Sequence, residues 1–257
     1  MKDRAIVLVA FGTSTAARDT YAFFEQKLRG RFPGEDIFWA FSSRTLRKSM
    51  AKEGIPWKGL KQVLKTIQVQ GRRQVVLQPL YIVPGIEFEK VNSAAELLHL
   101  NISVGMPLLS TEIDCYRTID ALSSRILDMD ECITVLAGHG TIHSGAGAMY
   151  MQFEECLKAR YPRNVHISVV EGVPSWESVR DEIEKSTLRK VKFIPLMFVA
   201  GEHIMQDVMG NHNESWKSQL EGFEIDGGET GLGFNEKIQE IYFDHLGEAM
   251  ERLDKSA

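Results

Sequence analysis

Two histidines and a glutamate recur at regular intervals in the second half of the sequence. His139, Glu171 and His203 are each separated from the next by 32 residues, about the length of one βα unit. Each comes at the end of a short apolar run that is typical of a parallel strand, and ligands bind beyond the carboxyl ends of such strands. Two imidazoles and a carboxylate suit a borderline divalent metal such as Co, Ni, Fe or Zn. The spacing predicts a shared metal site, although each residue by itself also fits a hydrogen-bonded loop or a helix start.

Other polar side chains lie near the two histidines. Asp207 comes four residues after His203, on the same face of a predicted helix, where its carboxylate would orient the imidazole behind the metal. A solvated helix charge is the alternative for Asp207. His143, four residues after His139, is a weaker candidate ligand because it falls in a predicted loop. We assign surface or core roles to the remaining histidines, which are His99, His166, His212 and His245.

The elements that would position these side chains follow a βαβ pattern. Short β-rich apolar runs alternate with longer helical patterns along the whole chain, which indicates a parallel-sheet α/β fold. The predicted strands are 5–10, 36–41, 74–80, 133–137, 166–170, 192–196 and 223–225. The predicted helices are 15–31, 58–70, 87–98, 146–160, 175–185, 202–217 and 235–253.

Two short motifs recur at offsets close to half of the chain. The pairs are Val7–Thr13 with Val135–Thr141, and Gln78–Gly85 with Ile194–Gly201. Offsets of 128 and 116 in a chain of 257 residues favour a duplicated α/β half over chance similarity. We expect the halves 1–128 and 129–257 to face a central cleft, with the last helix packing back on the first half. Phe11 and Glu87 stand where the second half has its two histidines, so the metal site belongs to the second half.

Composition limits the class of protein. Apolar residues make up 44% and charged residues 25% of the chain, as in soluble globular proteins. The net charge of −5 argues against a nucleic-acid or anionic-membrane partner. Three cysteines without C-x-x-C spacing argue against a disulfide scaffold, and the apolar run 5–11 is too short for a signal peptide or a membrane helix. We expect a cytoplasmic protein, and a homodimer if it assembles.

Three further motifs could bind anions. Gly12–Thr15 and Gly227–Gly233 each precede a predicted helix, where backbone N–H groups could cradle an anion or simply form a turn. The basic cluster at 43–48 could pair with carboxylates of an acidic ligand or form a solvated helix face. Gly138–Gly140 lacks the third glycine of a dinucleotide fingerprint, and no G-x-S-x-G nucleophile elbow is present.

These residues together resemble the anaerobic-type sirohydrochlorin cobaltochelatases, class II chelatases that insert Co(II) into sirohydrochlorin in cobalamin synthesis. The resemblance covers essentially the whole chain, and Glu202 is a conservative departure from the Asp of the family pattern. The motifs that carry it are Ala10–Ser14, Gly138–Gly140, Val170–Glu171 before Pro174, Pro195–His203 and Gly231–Gly233. The family implies a ferrochelatase-like fold, with two α/β halves and a tetrapyrrole cleft between them.

The resemblance also implies roles for individual residues. His139, His203 and Glu171 would hold Co(II) with open positions toward the macrocycle, and His139 is the expected main acceptor of pyrrole protons. Phe11, Tyr81, Ile82, Met197 and Phe198 would contact the flat ring, unless they belong to the ordinary core. The ring carboxylates would bind Gly12, Thr13, Ser14 and Arg44. No nucleotide or redox cofactor is expected.

Other functions remain open from the sequence. A nickel or ferrous chelatase for the same or a related tetrapyrrole would use the same side chains, because affinity rises along the first-row metals whatever the biological metal. A non-catalytic tetrapyrrole or metal carrier would use the same cleft. A periplasmic binding protein also pairs two α/β lobes, and the missing export signal argues against it.

Overall fold

The computed structural model describes residues 4–95, 100–141, 144–228 and 230–255, and these form two four-stranded, fully parallel sheets with helices. The predicted α/β class with two similar halves is confirmed. The chain divides into two compact units. The first unit comprises described residues 4–108 and 239–255, and the second comprises described residues of 109–238.

The first unit is built on a sheet with strand order β2-β1-β3-β4. Its elements are β1 (Arg4–Ala10), α1 (Asp19–Arg31), β2 (Asp36–Phe41), α2 (Arg44–Lys52), α3 (Leu60–Val69), β3 (Gln74–Pro79), α4 (Ile86–Ala95), β4 (Asn101–Val104) and most of the final helix. The central strand β1 is apolar and buried along nearly its whole length. Such a continuous run is typical of a parallel strand that is covered by helices on both faces.

The final helix contacts the rest of the first unit through an ion pair and hydrogen bonds at several points. The Arg4 guanidinium forms an ion pair with Asp254 at 3.0 Å. The Tyr242 hydroxyl donates to the Tyr81 carbonyl at 3.0 Å, and Arg252 donates to the Val104 carbonyl at 2.8 Å. These contacts explain why the chain after residue 238 groups with the first unit.

The second unit is built on a sheet with strand order β6-β5-β7-β8. Its elements are α5 (Glu112–Leu122), β5 (Ile133–Gly140), α6 (Ser144–Arg160), β6 (Val165–Glu171), α7 (Trp176–Lys185), β7 (Lys190–Leu196) and β8 (Glu224–Gly227), followed by the start of α8 (Glu236–Lys255). In both sheets the first strand lies between the second and the third. This shared order is the structural counterpart of the repeated motifs.

The predicted helix over 202–217 is wrong. Residues 202–203 are helical, a single π-helical turn covers Ile204–Val208, and the chain then continues in turns. The helix ends here because the backbone at Gly210 lies against the preceding turn, where an added Cβ would come within 2.2 Å of the Gln206 carbonyl oxygen.

Several smaller features also differ from the expectation. The strands predicted at 133–137 and 166–170 extend to Gly140 and Glu171. The candidate ligands His139 and Glu171 therefore lie within the last residues of these strands rather than after them. The sequence patterns missed α2, β4 and α5. The end of the helix predicted over 87–98 lies outside the described residues. None of the described helices combines the length and apolar character that a membrane crossing requires.

Candidate metal site

His139 lies between two glycines that bring backbone and side chains close to it. At Gly140 the φ angle is +80°, and an added Cβ would lie 2.0 Å from the Glu171 carbonyl oxygen. At Gly138 an added Cβ would lie 3.1 Å from Val169 and 3.3 Å from the Tyr150 ring. A Cβ at Gly140 would overlap the backbone of β6, and a Cβ at Gly138 would be tightly packed against β6 and α6, so the two glycines allow these elements to pack closely against the end of β5. His139 is half-buried there.

Tyr150 supports this strand end and was missed by the sequence analysis. The buried Tyr150 ring lies 3.3 Å from a Cβ added at Gly138, and burial raises the pKa of Tyr150 to about 12. The phenol therefore stays neutral and packs against the backbone next to His139. No periodicity or motif distinguishes Tyr150 from the other apolar positions of α6.

His203 is presented by the π-helical turn that follows β7. The turn is closed by an N–H of Met209 that donates to the Ile204 carbonyl at 2.9 Å, five residues back. Single π-helical turns occur frequently at functional sites. The His203 Nδ1 lies 2.7 Å from Asp207 Oδ2, so the predicted contact between these two side chains is present.

A following segment, residues 212–217, fixes the end of the π-helical turn. It donates hydrogen bonds to carbonyls of the turn that an ordinary helix end would leave open. The donors are His212 Nε2 to Gln206 O, Trp216 N to Asp207 O and Lys217 N to Val208 O, each at 2.9 Å. The buried Ser215 hydroxyl adds a bond to the Gly210 carbonyl at 2.7 Å. The position of His203 thus depends on residues well beyond its own turn.

The two histidine rings meet at their Nε2 atoms. The Nε2–Nε2 distance is 3.1 Å, and the rings lie edge to face at 83°. The His139 Nδ1 lies 3.2 Å from the Gly140 carbonyl, which can only accept, so this nitrogen carries the proton. The His203 Nδ1 likewise donates to the carboxylate of Asp207. In the neutral rings both Nε2 atoms therefore bear lone pairs, which repel at this distance unless a proton or a cation lies between them.

The spacing suits two ligands of one metal ion. Nitrogens bound at about 2.1 Å with an angle of 90–110° at the metal lie about 3.0–3.4 Å apart. The observed 3.1 Å falls in this interval. Each Nδ1 is held by an oxygen acceptor, the arrangement that fixes the tautomer of metal-binding histidines. The pair can therefore hold a divalent cation and leave its remaining positions open.

The third predicted ligand, Glu171, is the last residue of β6 and is exposed. The sheet register pairs Gly140 with Glu171 and Gly138 with Val169. Over the described parts of the chain, no three His, Cys, Asp or Glu side chains gather closely enough to hold a metal ion. Glu171 as a ligand stays a prediction, and His143 lies outside the described residues.

The predicted ring-contacting residues of the first unit lie at the carboxyl end of its sheet. Phe11 is exposed to 44%, and Tyr81 is half-buried. Gly12 has a φ angle of +107°, which favours glycine. The buried Thr13 hydroxyl is already used, because it lies 3.0 Å from the Thr15 hydroxyl and accepts from the Thr15 N–H. Ser14 and Arg44 are exposed, and neither donates to a carboxylate among the described residues.

The predicted ring-contacting residues of the second unit are more buried. Met197 is exposed to 8% and belongs to the apolar core of this unit, and Phe198 is exposed to 6%. Their carbonyls accept from the N–H groups of Leu232 and Gly233. At Gly231 an added Cβ would lie 2.7 Å from the Phe198 carbonyl oxygen, so this glycine motif forms a close backbone contact. Contact of Met197 and Phe198 with a ring stays a prediction.

Comparison with known proteins decides the family. The family described as Cobalt chelatase (CbiK) matches residues 4–251. The chain belongs to this cobalt chelatase family. A sirohydrochlorin cobaltochelatase of Salmonella typhimurium is 31% identical over 99% of this chain and 99% of its own length. A sirohydrochlorin cobaltochelatase, CbiKC, of Nitratidesulfovibrio vulgaris is 29% identical over 99% of this chain and 93% of its own length.

Solved structures show the chelatase fold independently of sequence identity. SirB from Bacillus subtilis, solved with Fe3+, superposes with a TM-score of 0.65 at 15% identity and covers 96% of this chain and 95% of its own. A multi-domain protein from Deinococcus radiodurans, described as structurally similar to chelatases, gives a TM-score of 0.58 at 14% identity. It covers 95% of this chain and 54% of its own.

Proposed function

We propose that this protein inserts Co(II) into sirohydrochlorin with release of two protons, a step of cobalamin biosynthesis. The observation that carries the proposal is the convergence of the His139 and His203 Nε2 atoms at 3.1 Å, each with its Nδ1 held by an acceptor. A pair of preoriented imidazole lone pairs binds the metal substrate. The names of the two relatives support cobalt as the metal and sirohydrochlorin as the ring.

The metal substrate must be bound loosely enough to pass to the ring. Two imidazoles leave several positions of Co(II) open, and Glu171, exposed at the end of β6, is the proposed third ligand. The His203 side chain is exposed to 42%, so water and the macrocycle can reach the metal. Open coordination is the feature that separates reactive metal sites from closed structural ones.

The proton chemistry follows from the same two nitrogens. The ring exchanges two N–H protons for one divalent cation, so charge balances when both protons leave. As Co(II) moves to the pyrrole nitrogens, each Nε2 regains its lone pair and can accept one of these protons. We assign His139 as the main acceptor. His203 is the second base, and the Asp207 carboxylate stabilises the positive charge of its protonated ring.

The macrocycle site is proposed from the rim residues of each unit. Phe11, Tyr81, Met197 and Phe198 would contact the ring face. Its carboxylates would bind Arg44 and the Gly12–Ser14 turn, with Thr13 acting through its backbone because its hydroxyl is already bonded. We further propose a cytoplasmic enzyme that uses no nucleotide or redox cofactor and that forms a homo-oligomer.

The deciding experiment measures cobalt insertion by the change of the sirohydrochlorin absorption spectrum. His139→Ala and His203→Ala should each lower the insertion rate by at least about a hundredfold, as expected for loss of a metal ligand that also moves a proton. The matched control is His166→Ala, a histidine outside the site. Insertion by the His139→Ala protein at the wild-type rate would overturn the mechanism. A wild-type protein that binds ring and metal without insertion would be a carrier, and faster insertion of Ni(II) or Fe(II) would change the assigned metal.

A further inference from the structure

Seven arginine and lysine side chains lie in one stretch of the first unit, on α2, on α3 and in the loop between them. They are Arg44, Arg47, Lys48, Lys52, Lys58, Lys61 and Lys65, which we call the basic face. The one acidic residue between positions 44 and 66 is Glu53, so this stretch carries a charge of +6 in a chain whose net charge is −5. Positive charge is therefore concentrated in this stretch, although the protein as a whole carries a net negative charge.

The charges of the basic face are not neutralised within the described structure. Six of the seven side chains are exposed and Arg47 is half-buried. None of them pairs with a carboxylate among the described residues, whereas Arg4, Arg29 and Arg72 each do. Unpaired like charges repel one another and create a positive potential that reaches about a Debye length, ~8 Å, into physiological solvent. An anion bound at this face would relieve that repulsion.

Arg47 adds a second, local observation. An added Cβ at Gly59 would lie 2.9 Å from Arg47 Nη1, so the guanidinium packs against the residue that precedes α3. The Arg47 Nε is buried and has no hydrogen-bond partner in the described structure. The N-terminus of a helix carries a partial positive charge, and a guanidinium beside it has the same sign. This juxtaposition favours a bound anion.

The basic face borders the carboxyl end of the first sheet. Two residues separate the end of β2 from the start of α2, and the Lys58 carbonyl accepts from the N–H of Phe41, the last residue of β2, at 2.9 Å. An added Cβ at Gly12 would lie 3.5 Å from Leu46, which is in the first turn of α2. The face thus adjoins the Gly12 turn, the place within this unit where ring carboxylates are proposed to bind.

We propose that the basic face is a capture surface for a macrocyclic polycarboxylate. This inference rests on the proposed function, in which the ligand is sirohydrochlorin with its eight carboxylates. The face attracts the anionic ring over long range and raises its association rate, while Arg44 and the Gly12 turn bind it in place. Electrostatic steering of this kind accelerates association by about 10- to 1,000-fold and falls steeply with salt.

The test measures how fast the metal-free ring binds. Stopped-flow absorption follows the association of sirohydrochlorin with wild-type protein and with the double variant Lys61→Glu/Lys65→Glu. Both lysines are exposed on α3 and take no part in the proposed site chemistry. The control, Lys185→Glu/Lys237→Glu, makes the same change in net charge at exposed lysines of the second unit.

The expected result is an association rate about tenfold lower for the α3 variant at about 20 mM ionic strength, with the difference lost near 0.5 M. The control variant should stay within twofold of wild type. The octacarboxylate uroporphyrin should respond as sirohydrochlorin does, and a porphyrin with two carboxylates should respond much less.

Equal rates for wild type and the α3 variant, or an equal loss in the control, would overturn the capture surface. The capture surface would also be overturned if the α3 variant bound the porphyrin with two carboxylates more slowly by the same factor as it bound sirohydrochlorin. Because ring binding is measured without cobalt, the outcome is separate from insertion. Fast, salt-sensitive capture by a wild-type protein that inserts no metal would overturn the proposed function and leave the capture surface standing.

Discussion

The hydrogen bond between His203 and Asp207 offers a direct test of how the metal site is oriented. The Nδ1–Oδ2 distance is 2.7 Å, typical of a bond to an ionised group. Asp207→Asn keeps the size of the side chain and can still present an amide oxygen to Nδ1. The substitution therefore removes the negative charge while the rest of the π-helical turn is retained.

The size of the effect follows from the charge and the exposure of the pair. A hydrogen bond to a charged group contributes about 1.5–3 kcal/mol, and exposed ion pairs contribute about 0–1 kcal/mol. The two side chains are exposed to 42% and 38%, so a value near 1–1.5 kcal/mol is appropriate after discounting for solvent. Since 1.4 kcal/mol corresponds to tenfold in binding, we expect about tenfold weaker Co(II) affinity. Hydrogen-bond partners of metal-binding histidines typically contribute 10- to 100-fold.

The assay is a Co(II) titration of the protein without the ring, followed by the visible absorption of bound cobalt. The control is Glu202→Gln, which removes a charge from the exposed residue next to His203. We expect the control to bind Co(II) nearly as wild type does, and His203→Ala to lose most of the affinity. Urea unfolding of each variant checks that the fold is retained.

Either of two results would contradict the proposed role of Asp207. If Asp207→Asn bound Co(II) within twofold of wild type while His203→Ala lost binding, the carboxylate would not orient the ring. If Asp207→Asn and Glu202→Gln weakened binding equally, the effect would come from general charge near the cation and not from the hydrogen bond.

Two further predictions concern the packing around the site and the response to pH. Gly140→Ala should lower the free energy of unfolding by more than about 2 kcal/mol, because a Cβ at φ +80° would lie 2.0 Å from the Glu171 carbonyl oxygen. In urea unfolding, Gly30→Ala on α1, with no atom within 4 Å of its added Cβ, should instead stabilise by about 0.5–1 kcal/mol; equal stability of the two variants would contradict this account. Burial lowers the pKa of His166 despite the nearby Glu182 carboxylate, so the unfolded state binds more protons from about pH 6.5 down to the lowered pKa. The free energy of unfolding should therefore fall as pH falls through that window, and His166→Gln should reduce the slope; an unchanged slope would exclude this histidine as the cause.

The fold was largely predictable because its buried strands appear in the sequence as short apolar runs. A strand covered on both faces reads as a continuous apolar run, and β1, with its buried residues, is the clearest example. The duplicated motifs then predicted two similar units. The weaker signals failed: β4 has four half-buried residues, and no apolar run marks it in the sequence.

The region after His203 shows why part of the site was not predictable. The pattern over 202–217 is helical, but the chain forms a single π-helical turn and then a series of turns. Hydrogen bonds from residues 212–217 and the close approach at Gly210 decide this conformation. These interactions depend on the position of residues 212–217 in the tertiary structure. The spacing of residues in the sequence does not predict them.

The amino-acid sequence by itself determined the α/β class, the internal repeat and the placement of His139 at a strand end and of His203 at the start of the helical segment after a strand. Hydrophobic burial and strand order produce local patterns, and these can be read without coordinates. Only the tertiary structure decided that the two Nε2 atoms meet at 3.1 Å, with each Nδ1 held by an oxygen. It also decided that Tyr150 supports the end of β5. Such distances depend on the packing of segments far apart in the chain, which a one-dimensional pattern does not specify.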